Sequence, residues 1–319
     1  MQTYIIRRVL LILPTLFLIS IIVFFTLRFI PGDVVDLLVA QLAMGGGDVK
    51  ELRKLLEQQL GLDVPAYVQY GRWITGALQG DLGKSLWTGT SVFEDIIRRL
   101  PVSVELGILT IIIGFIVSLP VGIFSGMRPE STTDNILRSF AILLITVPTF
   151  WMATMILLYG ALWWHWSPVL TYVGFWEEPL ANLGIMIIPS LLMGMWFSGF
   201  TMRMTRTLVL EVLRQDYVRT AWAKGLRERI VVIRHVLKNI LIPLVTILGL
   251  QVPVLIGGAV VVEIIFSLPG VGAFLVDALK IRDYTVVSGI NIMLAGFVLV
   301  VNLLVDISYA WLDPRIHYR

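Results

Sequence analysis

The sequence predicts an all-α integral membrane protein with about six transmembrane helices. Of its 319 residues, 57% are hydrophobic and only 15% are charged, whereas a soluble domain carries about a quarter charged residues. Mean hydropathy is correspondingly high, at +0.86. The apolar residues also lie in long uninterrupted runs, a pattern that favours lipid over water as the surrounding solvent.

Six stretches without a charged side chain are long enough to cross the hydrocarbon core, which takes about 20 helical residues. They are Val9–Leu27, Leu106–Met127, Ser139–Trp164, Pro179–Met202, Asn239–Val262 and Tyr284–Val305. Each must be helical, because backbone groups in lipid find partners only within the protein. Prolines inside the stretches predict kinks at Pro14, Pro120, Pro148, Pro189 and Pro253.

The distribution of basic residues predicts that both termini are cytoplasmic. Arg7 and Arg8 precede the first span, and the connection Arg203–Lys238 carries nine basic residues, whereas Trp163–Glu178 carries none. Short cytoplasmic segments are enriched in Lys and Arg. The long segment Pro31–Pro101 then falls outside, since a segment of this length translocates largely regardless of its charge.

This outer segment is predicted to form a helical cap. Asp48 followed by Glu51 gives a capping-box-like start to a first helix, which Gly61 ends. Five apolar residues at helical spacing share one face of that helix: Val49, Leu52, Leu55, Leu56 and Leu60. A second short helix is predicted for Ala66–Gln79. The chain thus divides into a first span (1–30), a cap segment (31–101) and a five-span core (102–319).

The sequence contains few residues suited to covalent catalysis or to metal binding. There is no cysteine, and the three histidines lack partners at ligand spacing. Neither a H-E-x-x-H motif nor a G-x-S-x-G elbow occurs. We therefore expect no catalytic residue and no metal ligand. Nucleic-acid binding is not supported either, because the basic residues of this sequence are not interleaved with exposed aromatic residues on a soluble fold.

One short motif imitates a nucleotide site. Gly83-Lys84-Ser85 matches the end of a Walker A loop, but the first glycine of that loop would fall at Leu78. The segment is also predicted to lie outside, away from cytoplasmic ATP. We expect nucleotide to be bound by another chain.

The connection Arg203–Lys238, here called the basic loop, is the longest cytoplasmic segment and is predicted to be helical. Its residues Thr220–Gly225 include small side chains, which permit a close helix–helix or helix–groove contact. Taken alone, the loop fits two interpretations equally. It is an anchor on anionic lipid, or it is a docking element for another protein.

Residues 216–226, Asp-Tyr-Val-Arg-Thr-Ala-Trp-Ala-Lys-Gly-Leu, resemble the peptide-type variant of the EAA loop in permeases of ABC importers. Further motifs similar to this family follow in the expected order along nearly the whole chain. They are Ile30-Pro31-Gly32-Asp33, Leu60-Gly61-Leu62-Asp63, Gly80-Asp81-Leu82-Gly83 with Ser85, Phe266-Ser267-Leu268-Pro269-Gly270-Val271-Gly272, Arg282-Asp283-Tyr284 and Asp313-Pro314-Arg315. The ordered set is similar to the first of the two permeases in dipeptide, oligopeptide, glutathione and nickel importers.

In that family the EAA loop forms a coupling helix that sits in a groove of the ATPase. The resemblance assigns this role to Asp216, Tyr217, Arg219, Thr220, Ala221, Lys224, Gly225, Leu226 and Arg227. The general signature has Glu and Ala where this chain has Arg219 and Thr220, and Arg-Thr is common in the peptide branch. Trp222 is bulkier and less polar than the family residue, which leaves the contacts of that helix face open.

The resemblance also implies an assembly in a bacterial or archaeal cytoplasmic membrane. Its parts are the lipid bilayer, a second homologous permease subunit, two cytoplasmic ABC ATPase subunits and an extracytoplasmic solute-binding protein. This chain would bind no cofactor, and ATP with Mg²⁺ would act on the ATPases. Peptides are the expected cargo, with nickel chelates or glutathione as the alternative. A self-contained channel or secondary transporter is a remote alternative, because neither midplane charges nor inverted repeats are found.

Ionisable residues beside the spans are candidates for a pathway lining or gate. Glu105 and Glu263 flank spans on the predicted outer side, and Asp306 lies at the inner end of the last span. Snorkelling of these side chains to water explains them equally well. Pro269 and Gly270 lie in a segment too short to span, which fits a gate-forming turn or an ordinary interfacial loop.

A pair of glycines in the second predicted span indicates close packing between helices. Gly122 and Gly126 form a G-x-x-x-G pattern. Such a pattern lets two helix backbones approach closely. We therefore expect tight packing of a neighbouring helix at this position.

Overall fold

The computed structural model of the chain describes residues 2–29, 34–42, 49–169 and 171–312. Three sequence predictions lie outside these residues: the helix start at Asp48 and the motifs Ile30-Pro31-Gly32-Asp33 and Asp313-Pro314-Arg315. Apart from one isolated antiparallel bridge between Lys84 and Ser91, the regular structure of the described part is helical. The predicted all-α membrane fold is therefore confirmed.

The helices vary widely in length, and the longest carry the spans. In chain order they are α1 (Gln2–Arg28), α2 (Val34–Leu42), α3 (Val49–Gln59), α4 (Ala66–Leu78), α5 (Val92–Met127), α6 (Thr132–Thr146), α7 (Thr149–Trp164), α8 (Pro179–Leu213), α9 (Asp216–Ala223), α10 (Glu228–Ile230), α11 (Lys238–Ile265), α12 (Val271–Lys280) and α13 (Tyr284–Leu312). A π-helix, Val231–Leu237, joins α10 to α11. Within the described residues, 5 helices are long and apolar enough to cross a membrane, or up to 6 if a bent pair counts as one span.

Two helices extend well beyond the predicted charge-free stretches. α5 begins at Val92 rather than Leu106, and α8 ends at Leu213 rather than Met202. A helix outside lipid tolerates charged side chains, so the absence of charge marks the part in the bilayer and not the helix end.

The prediction that the third span, Ser139–Trp164, is a single helix is wrong. α6 and α7 are separate helices whose axes differ by 88°. Val147 has ψ 121° and Pro148 has ψ 133°, so both residues are extended. A proline disfavours the helical conformation of the residue before it and supplies no amide hydrogen. In contrast, helices continue through Pro14, Pro120, Pro189 and Pro253.

Contacts divide the chain into two compact units. The N-terminal unit is Gln2–Pro101 with Ala273–Val300, and the core unit is Val102–Gly272 with the segment from Val301 onward. The domain boundaries predicted from the sequence stay predictions. Each unit has its own apolar clusters.

The core unit is held together by close packing of α5, α7, α8 and α11. A Cβ atom at Gly122 would lie 2.7 Å from Cβ of Thr205, and one at Gly126 would lie 2.7 Å from Val209. Those distances leave no room for a side chain, so the close approach predicted for this glycine pair is confirmed. The neighbouring helix is α8.

In the N-terminal unit, α2 and α3 pack on each other as parts of the predicted cap. Val34, Val35 and Val39 of α2 are buried, and Leu52, Leu56 and Leu60 pack against them. The predicted apolar face of the first cap helix is therefore only partly right, because Val49 and Leu55 are half exposed. The second cap helix, α4, matches its prediction within one residue.

The cap helix α3 ends in a glycine turn. The amide of Leu62 donates to the carbonyl of Glu57 at 2.8 Å, and the amide of Gly61 donates to Gln58 at 3.2 Å. This pair of bonds defines a Schellman turn, which needs a left-handed residue at Gly61. Its φ is +64°.

The imitation of a Walker loop has a structural role. Ser85 is buried, and its hydroxyl donates to the Asp283 carboxylate at 2.6 Å, while the amide of Leu86 donates to the same oxygen at 3.1 Å. A Cβ atom at Gly83 would lie 2.8 Å from Thr285. Two motifs of the resemblance, far apart in the chain, thus form one contact, and Ser85 is committed to a carboxylate instead of a phosphate.

Candidate functional site

The basic loop folds as the end of α8 followed by a short surface helix. α8 continues to Leu213, and a turn at Arg214 and Gln215 leads into α9. In this turn the amide of Gln215 donates to the carbonyl of Val212 at 3.1 Å, and the carbonyl of Gln215 accepts from Val218 at 3.0 Å. Backbone hydrogen bonding therefore passes from one helix to the next without a gap.

α9 packs on the core unit through one side only. Val218 and Ala221 are 0% and 4% exposed and form one apolar cluster with Val231. Residues three apart share a side of an α-helix. The partly buried residues around them are Val212, Leu213 and Leu226.

The other side of α9 and the turn that follows it are exposed and carry most of the residues that the resemblance assigns to coupling. These are Asp216, Tyr217, Arg219, Thr220, Lys224, Gly225 and Arg227, whereas Ala221 is buried and Leu226 is partly buried. The guanidinium of Arg219 lies 3.6 Å from the Asp216 carboxylate, with both side chains largely exposed. Such a pair contributes little to stability, so it does not account for the charges of this surface.

Two aromatic side chains stand on the same exposed region. Tyr217 is 43% exposed and Trp222 is 41% exposed. The ring of Tyr217 lies 6.4 Å from that of His235, centroid to centroid, and partial burial raises the pKa of its hydroxyl. Half-exposed aromatics are typical of surfaces that bind another protein.

Gly225 closes α9 in the same way as Gly61 closes α3. The amide of Leu226 donates to Ala221 at 3.3 Å, and the amide of Gly225 donates to Trp222 at 2.9 Å. Gly225 has φ +72°, and a Cβ atom there would meet nothing within 4 Å. Within this chain, glycine is therefore needed for its conformation and not for space.

The π-helix Val231–Leu237 connects α9 to the longer helices. Val231 packs against α9, and Val236 lies in a second cluster with Val209, Ile240 and Leu244. π-Helices are rare and are frequent at functional sites. The loop was predicted to be helical here, and the residue sequence alone gave no signal for the wider π form.

A buried ion pair lies in α8 within the basic loop, and the sequence reasoning missed its acidic partner. Arg206 donates from Nε and from Nη2 to the two oxygens of Asp134, at 2.7 Å each. Ser125 and the amide of Glu130 also donate to this carboxylate. The Asp134 side chain is 0% exposed. Arg206 is therefore not one of the surface charges of the basic loop.

The sequence did contain a local signal for Asp134. The amide of Asp134 donates to the hydroxyl of Ser131, the N-cap of α6, at 3.1 Å. Ser131 followed three residues later by an acidic residue is a helix-start pattern. That pattern fixes Asp134 in the first turn of α6 but does not identify Arg206 as its partner.

Two of the four pathway or gate candidates are brought together with Ser103. Glu263 is 1% exposed, and the Ser103 hydroxyl donates to it at 2.6 Å and accepts from the amide of Val271 at 2.9 Å. A side chain at Gly270 would collide with the Glu263 carboxylate. Pro269 is exposed. The turn after α11 is thus fixed to α5 by a buried acid.

Glu105 belongs to a different cluster. It accepts hydrogen bonds from the hydroxyl of Tyr172 at 2.7 Å and from the side-chain amide of Asn182 at 3.2 Å. Burial, with a smaller contribution from Glu105, raises the pKa of Tyr172. These contacts tie the segment between α7 and α8 to α5. Asp306 is a residue of α13.

Comparison with known proteins decides the family. A model described as the inner membrane component of binding-protein-dependent transport systems matches residues 118–318. The model for the N-terminal part of such membrane components matches residues 1–107. The chain belongs to this permease family. It is accordingly a multi-pass inner-membrane protein and a transport component rather than an enzyme.

Full-length relatives carry consistent names. A putative peptide transport system permease protein of Brucella suis is 37% identical over 100% of both chains. The dipeptide transport system permease protein DppB of Escherichia coli K12 is 35% identical, again over 100% of both chains. A probable peptide ABC transporter permease protein of Sinorhizobium fredii is 32% identical over 100% of each. The family resemblance predicted from the motifs is therefore confirmed.

Proposed function

We propose that this permease forms half of the membrane pathway of an ABC importer for peptides and is driven through α9. The observation that carries the proposal is the two-sided character of α9. Val218 and Ala221 fix one side to the core unit, and the coupling residues and two aromatics face away from it. A surface helix with this division can receive a partner and pass its movement to the permease.

The route of that movement follows from contacts in the core unit. α9 packs on the end of α8 through Val212 and Leu213 and on the π-helix through Val231. α8 in turn packs on α6, α7 and α11. A push on α9 therefore reaches several spans, and nucleotide at a distant site would bias an inward-open or outward-open arrangement.

The assembly follows the family. A second homologous permease supplies the other half of the pathway, two ATPases bind ATP with Mg²⁺, and a solute-binding protein delivers the cargo. We place α9 and both termini in the cytoplasm and the segment 31–101 outside, because basic residues are concentrated on the side of the loop. This permease itself would hold no cofactor.

Peptides are the favoured cargo. The relatives in Brucella suis and Escherichia coli are named for peptide and dipeptide transport, and they match the full length of the chain. Uptake of a labelled dipeptide into proteoliposomes that hold the complete transporter tests this choice. Competition by a nickel chelate or by glutathione, without competition by unlabelled peptides, would contradict it.

Coupling is tested by reversing one charge on α9. Arg219→Glu is expected to weaken ATPase association about tenfold at low salt, because charge complementarity steers and orients such contacts. Arg98→Glu is the matched control. Arg98 and Arg219 have side chains 77% and 73% exposed, and each lies within 4.0 Å of an aspartate three residues earlier.

The measurements are ATPase binding to the permease complex and ATP-dependent uptake of the labelled peptide. We expect both to fall for Arg219→Glu and to stay at the wild-type level for Arg98→Glu. Equal values for the two variants would rule out α9 as the coupling element, whatever the cargo is.

A further inference from the structure

The break between α6 and α7 leaves backbone groups without partners. At the end of α6, the carbonyls of Ile145 and Thr146 accept no hydrogen bond from the described part of the chain, and at the start of α7 the amide of Thr149 donates none to it. Pro148 between them has no amide hydrogen. Thr146 and Pro148 are exposed, so the described residues leave the break open to its surroundings.

Contacts with α8 orient α6 along a membrane span. Near the start of α6, Asp134 binds Arg206 of α8. Further along α6, the carbonyl oxygen of Ala141 lies 2.8 Å from the position of a Cβ atom at Gly199. Residue numbers rise along α6 while those of its α8 partners fall, so the two helices are antiparallel. α8 is long and apolar enough to cross a membrane, and α6 therefore enters the bilayer beside it.

The break consequently lies deep in the bilayer. Arg138 is the last charged residue of α6, and the distance along the helix from Arg138 to Thr146 is about 12 Å at 1.5 Å per residue. The hydrocarbon core is about 30 Å thick, so Thr146 lies near its middle. Irregular backbone at such a depth occurs only where it is buried in protein or lines a water-filled cavity.

A strip of polar side chains leads along α6 to the break. Asn135, Ser139 and Thr146 are exposed, and they lie within about 40° of one another because an α-helix turns about 100° per residue. Ile142 is exposed between the last two. The residues of α6 that are buried lie on the far side of the helix: Asp134, Ala141 and Leu144. The three polar residues, here called the polar strip, therefore face away from α8.

The polar strip differs from an apolar flank beside it on α6. Ile136, Phe140 and Leu143 are 62%, 42% and 56% exposed, as expected for side chains that lie against acyl chains. Transfer of an amide or a hydroxyl into such surroundings costs free energy. The polar strip and the open backbone at Thr146 therefore indicate water on this side of α6.

Given the proposed import function, we infer that the polar strip and the break line the water-filled path of the cargo. The free carbonyls of α6 accept hydrogen bonds from amides, and the free amide of Thr149 donates to carbonyls. The main chain of every peptide offers both kinds of group. Contact at the break therefore does not depend on the side chains of the cargo.

The test uses the complete transporter in proteoliposomes. Because the chain contains no cysteine, Ser139→Cys, Thr146→Cys and Phe140→Cys each give it a single thiol. Thiols react as thiolates, and apolar surroundings raise the pKa of a thiol, each unit lowering the thiolate fraction about tenfold. Labelling of the permease chain by water-soluble 2-(trimethylammonium)ethyl methanethiosulfonate, supplied on both sides of the membrane, is followed by mass spectrometry.

Phe140→Cys is the control, because Phe140 lies on the apolar flank and nearer than Thr146 to Arg138, so that depth alone would favour its labelling. We expect Ser139→Cys and Thr146→Cys to be labelled at least about tenfold faster than the control. Complete labelling of Thr146→Cys should also abolish most dipeptide uptake, since a bulky cation then lies in the path. The same treatment of Phe140→Cys should leave uptake unchanged.

Equal labelling rates for Thr146→Cys and Phe140→Cys would overturn the proposal. So would unchanged uptake after complete labelling of Thr146→Cys. Labelling of Thr146→Cys in the isolated permease but not in the complete transporter would overturn it too, because a partner subunit would then cover the strip. Absence of dipeptide uptake by the unlabelled wild-type transporter would contradict the proposed function instead, and it would leave the labelling rates unaffected.

Discussion

The basic loop and the cap share two local features, a glycine at the end of a short helix and an arginine–aspartate pair, but the two pairs differ in exposure. In each, a short helix ends at a glycine with positive φ, Gly225 after α9 and Gly61 after α3. Each region also contains a close arginine–aspartate pair. In the core unit Arg206 and Asp134 have side chains 17% and 0% exposed, whereas Arg53 and Asp36 of the cap are 46% and 50% exposed.

The two regions also differ in the side chains that they expose. On the cap, Arg53 pairs with both Asp36 and Glu57, so charges of the cap surface satisfy one another in water. In the basic loop, the ion pair is buried at the base, and the exposed side of α9 carries Tyr217 and Trp222 instead. Asp36, Arg53 and Glu57 of the cap thus pair with one another, whereas the exposed side of α9 combines charges with two half-exposed aromatic rings, as the proposed docking role requires.

Breaking the two ion pairs should give the largest contrast. Asp134→Asn leaves the Arg206 charge buried without its counterion, at a cost of roughly 3–5 kcal/mol in the free energy of unfolding. Asp36→Asn in the exposed pair should cost about 0–1 kcal/mol. Denaturant titration of the purified permease in detergent measures both values. A similar cost for the two substitutions would mean that burial does not distinguish the regions.

The two glycines come next. Gly225→Leu and Gly61→Leu each force a side chain into left-handed backbone, which costs roughly 1–2 kcal/mol, and neither side chain meets a neighbour at its Cβ. The losses of stability should therefore be similar. Only Gly225→Leu should reduce ATP-dependent uptake in proteoliposomes. If Gly61→Leu reduces uptake equally, stability and not coupling explains the effect.

The smallest effect on stability is expected at Trp222. Trp222→Ala removes a half-exposed ring and should lower the free energy of unfolding by less than about 1 kcal/mol. ATPase affinity should fall about tenfold if the ring is an anchor of the interface. Tyr67→Ala is the control, because Tyr67 is an exposed aromatic of α4. Normal ATPase affinity for Trp222→Ala would remove Trp222 from the docking surface.

The sequence predicted features that depend on local patterns. Charge-free stretches identified the spans because lipid excludes charge over the whole length of a crossing helix. Gly61 was predicted to end the first cap helix, because few residues other than glycine adopt left-handed backbone, whereas Gly225 was noted only for its small size and its place in the family motif. The cap helix α4 also matches its predicted range, Ala66–Gln79, within one residue.

Features that depend on distant partners were not predictable. The residues around Asp134 do not identify Arg206 as its partner. In the same way, the residues around Ser85 do not identify Asp283. Both contacts arise only when the chain folds. Pro148 was expected to kink one span and instead separates two helices. Other helices continue through their prolines, so the presence of a proline does not by itself predict a break.

The unbroken length of α8 has a mechanical consequence. A helix of 35 residues is about 52 Å long at 1.5 Å per residue, whereas the hydrocarbon core is only about 30 Å thick. Roughly 20 Å of α8 must therefore project beyond the acyl chains. If the ATPase binds α9 as proposed, the projecting end of α8 keeps that docking surface away from the acyl chains.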